Sequence, residues 1–518
     1  MIKLSLEELV KAVRGKVSSS PESEKKLTHW FADELVIDSR AIKPDENNSN
    51  KVFLALKGPT FDGHDFVSKV IENGCLVVIV QKKVQLSPFY DQKVTQVLVN
   101  YSHEALGHVG AFVKAKVNPR TIAITGSSGK TTLKEMLASI LKNLGHVLAT
   151  NGNFNNDIGV PLTLLRLEES HQFAVIEMGA NHAGEIAYTT ELVKPDVAII
   201  NNIAAAHLEG FGDLEGVAKA KGEIYAGLKS NGVAIYNQDS IFNDKWQWRL
   251  SDKNVKTVAC NPEQMTLDKK HTHTIKPNCY SSGVQVNKVG CATFTLHTPI
   301  GTRVISLNIP GIHNVCNAVT AACGAITLGA SLNDIATGLA NMGEVTGRLN
   351  MHRLDSNLTL VDDTYNANVD SVKAATSLLA SYPSFNILIL GDMGELGNEA
   401  VNYHQEVGAY AAEQNIDVLF SLGTLSEEAS KGFANKNDAL DLNLNTEHFA
   451  ERRQLLDALF LMLVKQEQFV NKNKLPKGPI SVLVKGSRSA HMERVVEDII
   501  SWHNQLDATK GQQKEDNT

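Results

Sequence analysis

The chain has 518 residues, which is too long for one hydrophobic core and predicts several domains. Its formal net charge of −7 leaves no basic surface for nucleic acid, whose binding depends on neutralising phosphates. No stretch holds the run of about 18 apolar residues that a membrane helix needs. Because the first residues also lack the apolar core of a signal peptide, we expect a cytoplasmic protein that is not inserted in a membrane.

Apolar strand-like runs alternate with helical segments along the whole chain, which predicts α/β structure throughout. Residues 1–105 hold short apolar runs between helix-like segments, which predicts a small α/β domain. In residues 106–346, continuous apolar strands alternate with amphipathic helices, which predicts a parallel sheet covered on both faces, with a small antiparallel excursion at 255–309. Residues 347–518 form a third α/β domain, with strands expected at 358–363, 385–392, 417–423 and 480–486. Within it, the polar segment 435–478 shows one long helical pattern.

The spacing of the six cysteines predicts neither a disulfide framework nor a zinc site. They are scattered, with no C-x-x-C pair and no histidine at zinc-finger spacing. We expect them to be reduced and mostly structural.

The stretch "AITGSSGKTT" (123–132) joins an apolar strand to a helix. A Gly-rich turn in this context points its backbone N–H groups and the helix N-terminus at one place, with Lys130 as a point charge and Thr131 as a magnesium contact. The longer phosphate-loop pattern would need glycine at position 124, where the chain has Ile124. The alternative is a tight connection without a ligand, but the sequence G-K-T-T favours phosphate binding.

Three further side chains follow predicted strands or lie on nearby helices. Glu177 ends an apolar strand, where a carboxylate can hold Mg²⁺ or cap the next helix. His207 follows another strand, and a lone histidine there is more often a loop or core residue. Lys221 lies in a helical pattern, where a lysine is usually a solvated charge. On its own, neither His207 nor Lys221 indicates a function.

Two polar clusters have both a structural and a ligand-binding interpretation. Asn314 and Asn317 fall three residues apart on one helix face, where they can contact a purine edge or cap the helix. The stretch "DDTYNANVDSVKAA" (362–375) packs polar side chains between a strand and a helix, which indicates a ligand loop, although Asx-turns and an N-cap explain some of them.

Together these motifs resemble the Mur ligase family. "TGSSGKTT", "TNGNFNNDIGVPLTLL", "IEMGANHAGEI", "NNIAAAHLEGFG", "KAKGEIY", "IPGIHNVCNAV", "DDTYNAN", "GDMGELG" and "VKGSR" occur in the family's order, from position 37 to about 496. "DDTYNAN", "GDMGELG" and "VKGSR" resemble the member that adds D-alanyl-D-alanine to UDP-MurNAc-tripeptide. The family's phosphate loop is T-G-x-x-G-K-T, so Ile124 is part of the strand and no glycine is missing.

The resemblance implies three domains: an N-terminal UDP-substrate domain (1–105), a central P-loop ATPase domain (106–346) and a C-terminal Rossmann-like domain (347–518). It implies ATP-dependent amide formation through an acyl phosphate, as the last cytoplasmic step of peptidoglycan precursor synthesis, by a monomer that uses ATP and two Mg²⁺ ions. The alternatives are a sister Mur ligase or a folylpolyglutamate-synthase-like enzyme that adds a single amino acid. A non-catalytic nucleotide-binding scaffold would be expected to have lost Lys130, Glu177, His207 or Lys221.

The resemblance also implies residue roles. The residues expected to contact ATP are Gly126, Ser127, Ser128, Gly129, Lys130, Thr131, Thr132, Asn314, Asn317, Arg348 and Asp363. The residues expected to hold Mg²⁺ are Thr131, Glu177, His207 and, if carbamylated, Lys221. The residues expected to contact the UDP-MurNAc-tripeptide are Ser39, Arg40, Asp62, His64, Asn153, Asn155 and Asn156, and those expected to contact D-Ala-D-Ala are Tyr365, Asn366 and Asn368. Segment 435–478 is longer than the family leads us to expect.

Overall fold

The structure is a computed structural model that describes residues 1–18, 28–44, 46–240, 242, 246–260, 276–469 and 479–515. Within these ranges, no helix combines the length and apolar character that a membrane crossing requires. The part of segment 435–478 that begins at residue 470 lies outside the described residues. The described elements form three α/β units along the chain, which confirms the predicted fold class.

The first unit has a sheet in the order β2-β7-β6-β5-β4, parallel except between β2 and β7, beside the small pair β1-β3. Its strands are β1 (Leu4–Ser5), β2 (Lys16–Ser18), β3 (Phe31–Ala32), β4 (Glu34–Val36), β5 (Lys51–Leu54), β6 (Val77–Val80) and β7 (Thr95–Leu98). Its helices are Leu6–Val13, Val67–Glu72 and Pro88–Asp91, and helix Ser102–Val117 leads into the next unit.

The central unit has a sheet in the order β16-β15-β14-β13-β12-β11-β8-β10-β9 among the described residues. Its strands are β8 (Arg120–Thr125), β9 (Val147–Ala149), β10 (Phe173–Glu177), β11 (Val197–Ile200), β12 (Val233–Asn237), β13 (Asn254–Ala259), β14 (Cys279–Val286), β15 (Cys291–Thr298) and β16 (Gly301–Pro310). Its helices are Lys130–Leu141, Gly159–Leu165, Glu185–Val193, Leu208–Phe211, Leu214–Lys221, Gln247–Leu250, His313–Thr327 and Leu332–Ala340. The pairs β14-β15 and β15-β16 are antiparallel, as predicted for the excursion, whereas β13 pairs in parallel with both neighbours.

The third unit has a sheet in the order β17-β18-β22-β19-β20-β21 among the described residues, antiparallel only between β17 and β18. Its strands are β17 (Asn350–Arg353), β18 (Leu358–Asp363), β19 (Phe385–Gly391), β20 (Val418–Leu422), β21 (Asn445–Phe449) and β22 (Ile480–Lys485). Its helices are Val369–Ala380, Ala400–Glu413, Glu427–Ala439, Arg452–Phe469 and Glu493–Glu515. Segment 435–478 therefore adds strand β21 to the expected helix.

Both faces of the central sheet are buried, as its uninterrupted apolar strands require. Ile122 and Ile124 of β8 pack on one face with the helices Lys130–Leu141 and His313–Thr327. Ala123 packs on the other face, in a core that continues into the first unit. Because side chains of a strand alternate between faces, β8 contributes to two cores and is fixed between them. The loop that follows β8 is thus held by a rigid strand.

One expectation about the cysteines is wrong. Cys260 and Cys316 form a disulfide, whereas Cys75, Cys279, Cys291 and Cys323 are free. The two bonded cysteines are 56 residues apart in the sequence. They meet because the end of β13 lies against the start of helix His313–Thr327, a tertiary contact that cysteine spacing alone does not reveal.

Candidate active site

The carboxyl ends of the central parallel strands carry most of the predicted site. The phosphate loop follows β8, Glu177 ends β10, and Asn201 and Asn202 follow β11. Strands β8, β10 and β11 are neighbours and run in parallel, so these groups meet at one edge of the sheet. The chain order reverses at β8, and ligands of open α/β sheets bind at such points.

The phosphate loop depends on two glycines with positive φ angles. Gly126 has a φ of 151° and Gly129 a φ of 74°. A Cβ atom on Gly129 would lie 2.8 Å from the side-chain amides of Asn201 and Asn317. Any larger residue would therefore strain the backbone and collide with these amides. The loop can pass this close to the asparagines only because glycine occupies the position.

Lys130 begins the helix that follows the loop. Its Nζ donates to the carbonyl oxygens of Gly126 (2.7 Å) and Ser127 (3.3 Å). Burial lowers its pKa, and the carboxylates of Glu177 and Glu395 act in the opposite direction. The ammonium of Lys130 thus lies against the phosphate loop, whose backbone N–H groups would bind a phosphate.

Glu177 is buried at the end of β10, with 1% of its surface exposed. Its Oε1 accepts a hydrogen bond from Asn155 Nδ2 at 2.8 Å, and its backbone N–H donates to Thr150 Oγ1. Its Oε2 is buried without a hydrogen-bond partner among the described residues. A buried carboxylate oxygen without a partner is costly unless a cation or a donor completes it. This atom is therefore available to a cation or to a hydrogen-bond donor of a ligand.

Lys221 ends helix Leu214–Lys221 and is completely buried. Its Nζ has no hydrogen-bond partner in the described part of the chain and lies 5.5 Å from the centre of the Phe211 ring. Burial and the nearby Lys130 lower its pKa to about 7. A large fraction of this amine is therefore neutral at neutral pH, which is the form that can react with carbon dioxide.

His207 adopts a positive φ of 56° just before the short helix Leu208–Phe211. Its Nδ1 lies 2.5 Å from Oε2 of Glu395, a residue of the third unit. Contact with His207 lowers the pKa of the Glu395 carboxyl. His207 is therefore a contact point between the central and third units as well as a candidate metal ligand.

One cavity of about 720 Å³ brings most of the predicted residues together. It opens between the phosphate loop, the end of β10 and the loop after β18. The predicted residues in its lining are Ser127, Ser128, Gly129, Lys130, Thr131, Asn153, Asn155, Asn156, Glu177, His207, Arg348, Tyr365, Asn366 and Asn368. Lys221 is absent from the lining because it is fully buried.

A second cavity of about 310 Å³ adjoins the first at the phosphate loop. The predicted residues in its lining are Ser128, Gly129, Thr132, Asn314, Asn317, Arg348 and Asp363. Ser128, Gly129 and Arg348 line both cavities. A nucleotide that spans the loop can thus place its phosphates in one cavity and its nucleoside in the other.

A chain of side-chain amides crosses the second cavity. Asn314 Nδ2 donates to the carbonyl of Pro310 at 2.7 Å, and Asn317 Nδ2 donates to Asn314 Oδ1 at 2.9 Å. Asn201 Nδ2 then donates to Asn317 Oδ1 (2.9 Å) and to the carbonyl of Ser128 (3.0 Å). The chain fixes the orientation of each amide and joins helix His313–Thr327 to the phosphate loop.

Arg348 and Asp363 lie where the third unit meets these cavities. The Arg348 guanidinium stacks over the Tyr365 ring at 4.4 Å, and its buried Nε has no partner among the described residues. Asp363 accepts a hydrogen bond from Lys485 Nζ at 2.6 Å in an almost fully buried pair. Burial lowers the pKa of Lys485, while Asp363 acts in the opposite direction.

The loop 364–368 both caps the following helix and lines the first cavity, the two interpretations that the sequence left open. Asn368 caps helix Val369–Ala380 by accepting from the backbone N–H of Ser371 at 2.9 Å. Asn366 Oδ1 accepts from the backbone N–H of Ala367, and its carbonyl accepts from Lys485. Tyr365, Asn366 and Asn368 nevertheless line the first cavity. Capping fixes the loop, and the fixed loop faces the cavity.

The predicted residues of the first unit lie apart from both cavities. Arg40 is exposed and pairs with Asp38 at 2.7 Å, next to Ser39. His64 Nε2 accepts from the backbone N–H of Gln81, so its Nδ1 carries the proton and points at Asp62 Oδ1 at 2.5 Å. Both ring nitrogens of His64 are therefore engaged within the fold, and its observed role is to hold its own loop.

Sequence reasoning missed several residues of the site. Asn201 and Asn202 stand in the quoted motif "NNIAAAH", and Asn202 accepts from the backbone N–H of Ser128. Two amides directly after an apolar strand were the available signal. Lys485 and Glu395 stand in "VKGSR" and "GDMGELG", but their partners come from distant elements that single-residue reasoning does not connect.

No group of three or more His, Cys, Asp or Glu side chains in the described residues forms a complete metal site. Mg²⁺ commonly binds through one or two carboxylates together with substrate phosphates. The unpartnered oxygen of Glu177, close to the phosphate loop, fits this kind of site. The donor set is therefore suited to a metal that arrives with a nucleotide.

The fold and the two joined cavities define a nucleotide-binding enzyme of the P-loop α/β class. The chain matches the Mur ligase middle domain over residues 124–325, the Mur ligase glutamate ligase domain over 347–488 and the Mur ligase catalytic domain over 33–121. It is 42% identical to the UDP-N-acetylmuramoyl-tripeptide–D-alanyl-D-alanine ligase of Haemophilus influenzae and 39% identical to that of Escherichia coli, each over 96% of this chain and 98% of the relative. The chain belongs to the Mur ligase family.

Solved structures agree with this assignment. A MurF structure from Acinetobacter baumannii superposes with a TM-score of 0.83 at 34% identity, over 96% of this chain and 99% of that one. MurF from Thermotoga maritima in complex with ADP gives a TM-score of 0.74 at 25% identity, over 91% and 98% of the two chains. A folylpolyglutamate synthase from Mycobacterium tuberculosis, at 14% identity and a TM-score of 0.58, shares the fold alone.

Proposed function

We propose that this enzyme joins D-alanyl-D-alanine to UDP-N-acetylmuramoyl-tripeptide at the expense of ATP, in the cytoplasm. Its relatives in Haemophilus influenzae, Escherichia coli and Bacillus subtilis are named as ligases of this reaction. The observation that carries the proposal is the first cavity, in which the phosphate loop, the unpartnered carboxylate oxygen of Glu177 and the loop 365–368 face one another. We also propose the domain boundaries 1–105, 106–346 and 347–518, because each range carries its own sheet.

The reaction starts with a carboxylate, which is a poor electrophile. The terminal carboxylate of the tripeptide attacks the γ-phosphorus of ATP, the bond to the β-phosphate oxygen breaks, and an acyl phosphate and ADP form. Such a transfer depends on positioning and on neutralising charge. We assign the backbone of Gly126–Thr132 and the ammonium of Lys130 to the phosphates, with Arg348 at the junction of the two cavities.

The second step forms the amide. The amine of D-Ala-D-Ala attacks the acyl carbon, and phosphate leaves from a tetrahedral intermediate. We assign Tyr365, Asn366 and Asn368 to the dipeptide, because they line the same cavity as the phosphate loop. Asn153, Asn155 and Asn156 line the same cavity and are assigned to the peptide end of the nucleotide substrate. Ser39, Arg40, Asp62 and His64, all in the first unit, are assigned to its uridine end.

The nucleoside of ATP is assigned to the second cavity. Asn314 and Asn317 would contact the purine edge, and Asp363, held by Lys485, would contact the ribose. The neutral amide chain offers donors and acceptors without charge, which suits an uncharged base.

Mg²⁺ fits the residues of the first cavity. Thr131, Glu177 and His207 would hold one ion, which supplies charge neutralisation to the phosphates. A carbamate on Lys221 would add an anion toward a second ion. The complete burial of Lys221 and its unpartnered amine support this proposal, since a buried ammonium without an acceptor is costly.

The alternative of a sister ligase that adds a single amino acid has less support. A structure of the ligase that adds diaminopimelate is 18% identical to this chain, and the folylpolyglutamate synthase is 14% identical. The non-catalytic scaffold is disfavoured because Lys130, Glu177, His207 and Lys221 are all present.

The proposal is tested by ADP release from the purified enzyme with ATP and Mg²⁺. We expect turnover only when both UDP-MurNAc-tripeptide and D-Ala-D-Ala are present. Tripeptides that carry diaminopimelate or lysine at the third position are compared in parallel. Equal turnover with a free amino acid in place of the dipeptide would assign the chain to a sister activity, and no turnover with any amine would support the scaffold.

A further inference from the structure

Cys316, one of the two disulfide partners, lies in the wall of the second cavity, and Cys260 is bonded to it from behind that wall. Cys260 follows β13 directly, and Cys316 lies between Asn314 and Asn317 on helix His313–Thr327. The sulfur-bearing side chain of Cys316 lines the cavity that we assign to the nucleoside. The two Cα atoms are 5.0 Å apart, which is within the usual range for bonded cysteines.

The surroundings of this pair favour reactivity. Asn237, which ends β12 and lines the same cavity, points its Nδ2 at Cys316 Sγ (3.3 Å) and at Cys260 Sγ (3.7 Å). An N–H donor aimed at sulfur stabilises the thiolate, which is the form that reacts with oxidants. Both Cys260 and Cys316 are partly exposed, so a small oxidant can reach them.

The other cysteines of the same region differ in this respect. Cys279 and Cys323 hydrogen-bond each other, but both are buried, with 1% of each residue exposed. Because they are buried, reagents in solution cannot reach their sulfur atoms. Cys260 and Cys316 thus combine mutual proximity with a hydrogen-bond donor, and Cys316 in addition lines the second cavity.

We propose that Cys260 and Cys316 are a reversible redox modification site, interconverting between two thiols and one disulfide, whose oxidation is opposed by bound nucleotide. The oxidant class is a hydroperoxide. One thiolate attacks the peroxide oxygen, the O–O bond breaks, and a sulfenic acid and an alcohol or water form. The second thiolate attacks the sulfenic sulfur, the S–S bond forms and water leaves. A small dithiol reverses the reaction.

The coupling to nucleotide rests on the proposed function of this cavity. A purine beside Asn314 and Asn317 would cover Cys316 and shield its sulfur. The S–S bond also ties the end of β13 to the helix, so that this wall can no longer adjust to a purine. We therefore expect weaker nucleotide binding in the oxidised protein, and linkage then requires nucleotide to favour the reduced pair by the same factor.

The test counts thiols in the full-length enzyme after treatment with hydrogen peroxide, with and without Mg²⁺-ADP. We expect the reduced protein to pass from six thiols to the four of the described state, with peptide mapping assigning the bond to Cys260 and Cys316. Dithiothreitol should restore six. ADP should slow the loss at least about threefold, and oxidised protein should bind ADP at least about threefold more weakly than reduced protein.

Two variants serve as controls. Cys316→Ser cannot form the bond, so under the same treatment it should form no disulfide and lose at most the Cys260 thiol, as a sulfenic acid. Cys291→Ser removes a partly exposed cysteine from β15 and should lose two thiols at the wild-type rate.

Two results would overturn the inference. Wild-type protein that keeps six thiols, or that loses thiols no faster than Cys316→Ser, would remove the modification site. If reduced protein binds ADP but ADP does not slow the loss of thiols, nucleotide binding and oxidation are not coupled. Failure of reduced protein to bind ADP would instead contradict the proposed function, and the thiol counts without nucleotide would still decide the modification.

Discussion

Lys221 has an environment that a helical lysine rarely has, because its amine is buried without a hydrogen-bond partner among the described residues. Its pKa of about 7 places the neutral amine within reach of carbon dioxide at physiological pH. The carbamate would then supply the negative charge that the surrounding cations require. The role that we propose for this residue therefore rests on its burial.

Replacement of Lys221 tests this role. We expect Lys221→Ala to lower turnover at least about 100-fold, because a charge that stabilises the transferring phosphate is lost, while ADP binding stays within about threefold. Added short carboxylic acids should restore part of the activity. The matched control is Lys219→Ala, an exposed lysine on the same helix, which should turn over like wild type. Full activity in Lys221→Ala, measured by ADP release, would exclude the carbamate.

The sequence predicted individual residues well where a motif fixed their backbone context. Glu177 follows from an apolar strand that ends in a carboxylate, and Lys130 follows from the loop before a helix. It could not predict that His207 would contact Glu395, because the two residues are distant in the chain and belong to different units. The pairing of Cys260 with Cys316 was missed for the same reason.

At the scale of elements, the amide chain joins the phosphate loop to helix His313–Thr327. Each amide in it is oriented by its neighbour, so the loss of one member should disorder the rest. The chain therefore links the proposed purine site to the shape of the phosphate loop.

We expect Asn317→Ala to weaken ADP binding about 10-fold, since truncation removes the donor to Asn314 Oδ1 and one of the two acceptors of Asn201 Nδ2 in a buried site. Asn201→Ala should weaken it similarly, and the double variant should lose less than the sum because both act on one network. The control is Asn143→Ala, which removes an exposed amide just after helix Lys130–Leu141 and should leave ADP binding unchanged. Calorimetric titration with ADP measures these effects, and additive losses would contradict a shared network.

Helix Ser102–Val117 carries a buried cation on its last turn. Lys114 is 4% exposed, and its Nζ lies 3.4 Å from the carbonyl of Lys194. Burial and the neighbouring Lys229 lower the pKa of Lys114 to about 8. Between about pH 8 and 10 the unfolded chain keeps a proton that the folded chain releases, so stability rises with pH in this window.

We therefore expect Lys114→Met to raise the free energy of unfolding at pH 7 by about 1–3 kcal/mol. The advantage over wild type should shrink as the pH rises from 8 to 10, because the wild-type lysine is then neutral in the folded state. Urea unfolding followed by fluorescence at several pH values measures the difference. Lys142→Met, at an exposed position, should show no such pH dependence. A constant difference between pH 7 and 10 would contradict the lowered pKa of Lys114.

The sequence predicted the inner parallel strands of the central and third units but missed the edge strands β9, β17 and β21. Apolar strands buried on both faces are readily recognised, and β8, β10 and β11 were all predicted. The edge strand β21 was missed because its exposed residues alternate with partly buried ones in a polar segment. An edge strand needs little apolar character, so its pairing with β20 decides its structure.

At the scale of the whole molecule, the third unit contacts the central unit at the site itself. The contact between His207 and Glu395 joins the two, and the backbone N–H of Glu209 donates to the carbonyl of Glu395 beside it. About half of the Glu395 side chain is exposed, so the contact contributes modestly. It favours the arrangement in which the two units close on the cavity.

We expect Glu395→Ala to shift the protein toward a more open arrangement, with a two- to fivefold change in the ratio of closed to open forms, or about 0.5–1 kcal/mol. Small-angle X-ray scattering without substrates should then give a larger radius of gyration than wild type. Glu399→Ala removes an exposed carboxylate from the same loop and should leave the radius unchanged. Identical scattering from Glu395→Ala and wild type would show that this contact does not hold the units together.

The central claim is that ATP activates a carboxylate of the substrate before the amide forms. The most direct measurement uses tripeptide substrate labelled with ¹⁸O in its terminal carboxylate, turned over with ATP, Mg²⁺ and D-Ala-D-Ala. If the carboxylate attacks the γ-phosphorus, one labelled oxygen leaves with phosphate, and mass spectrometry should find one ¹⁸O in each phosphate released. Phosphate without label, formed in step with the amide product, would contradict the acyl phosphate.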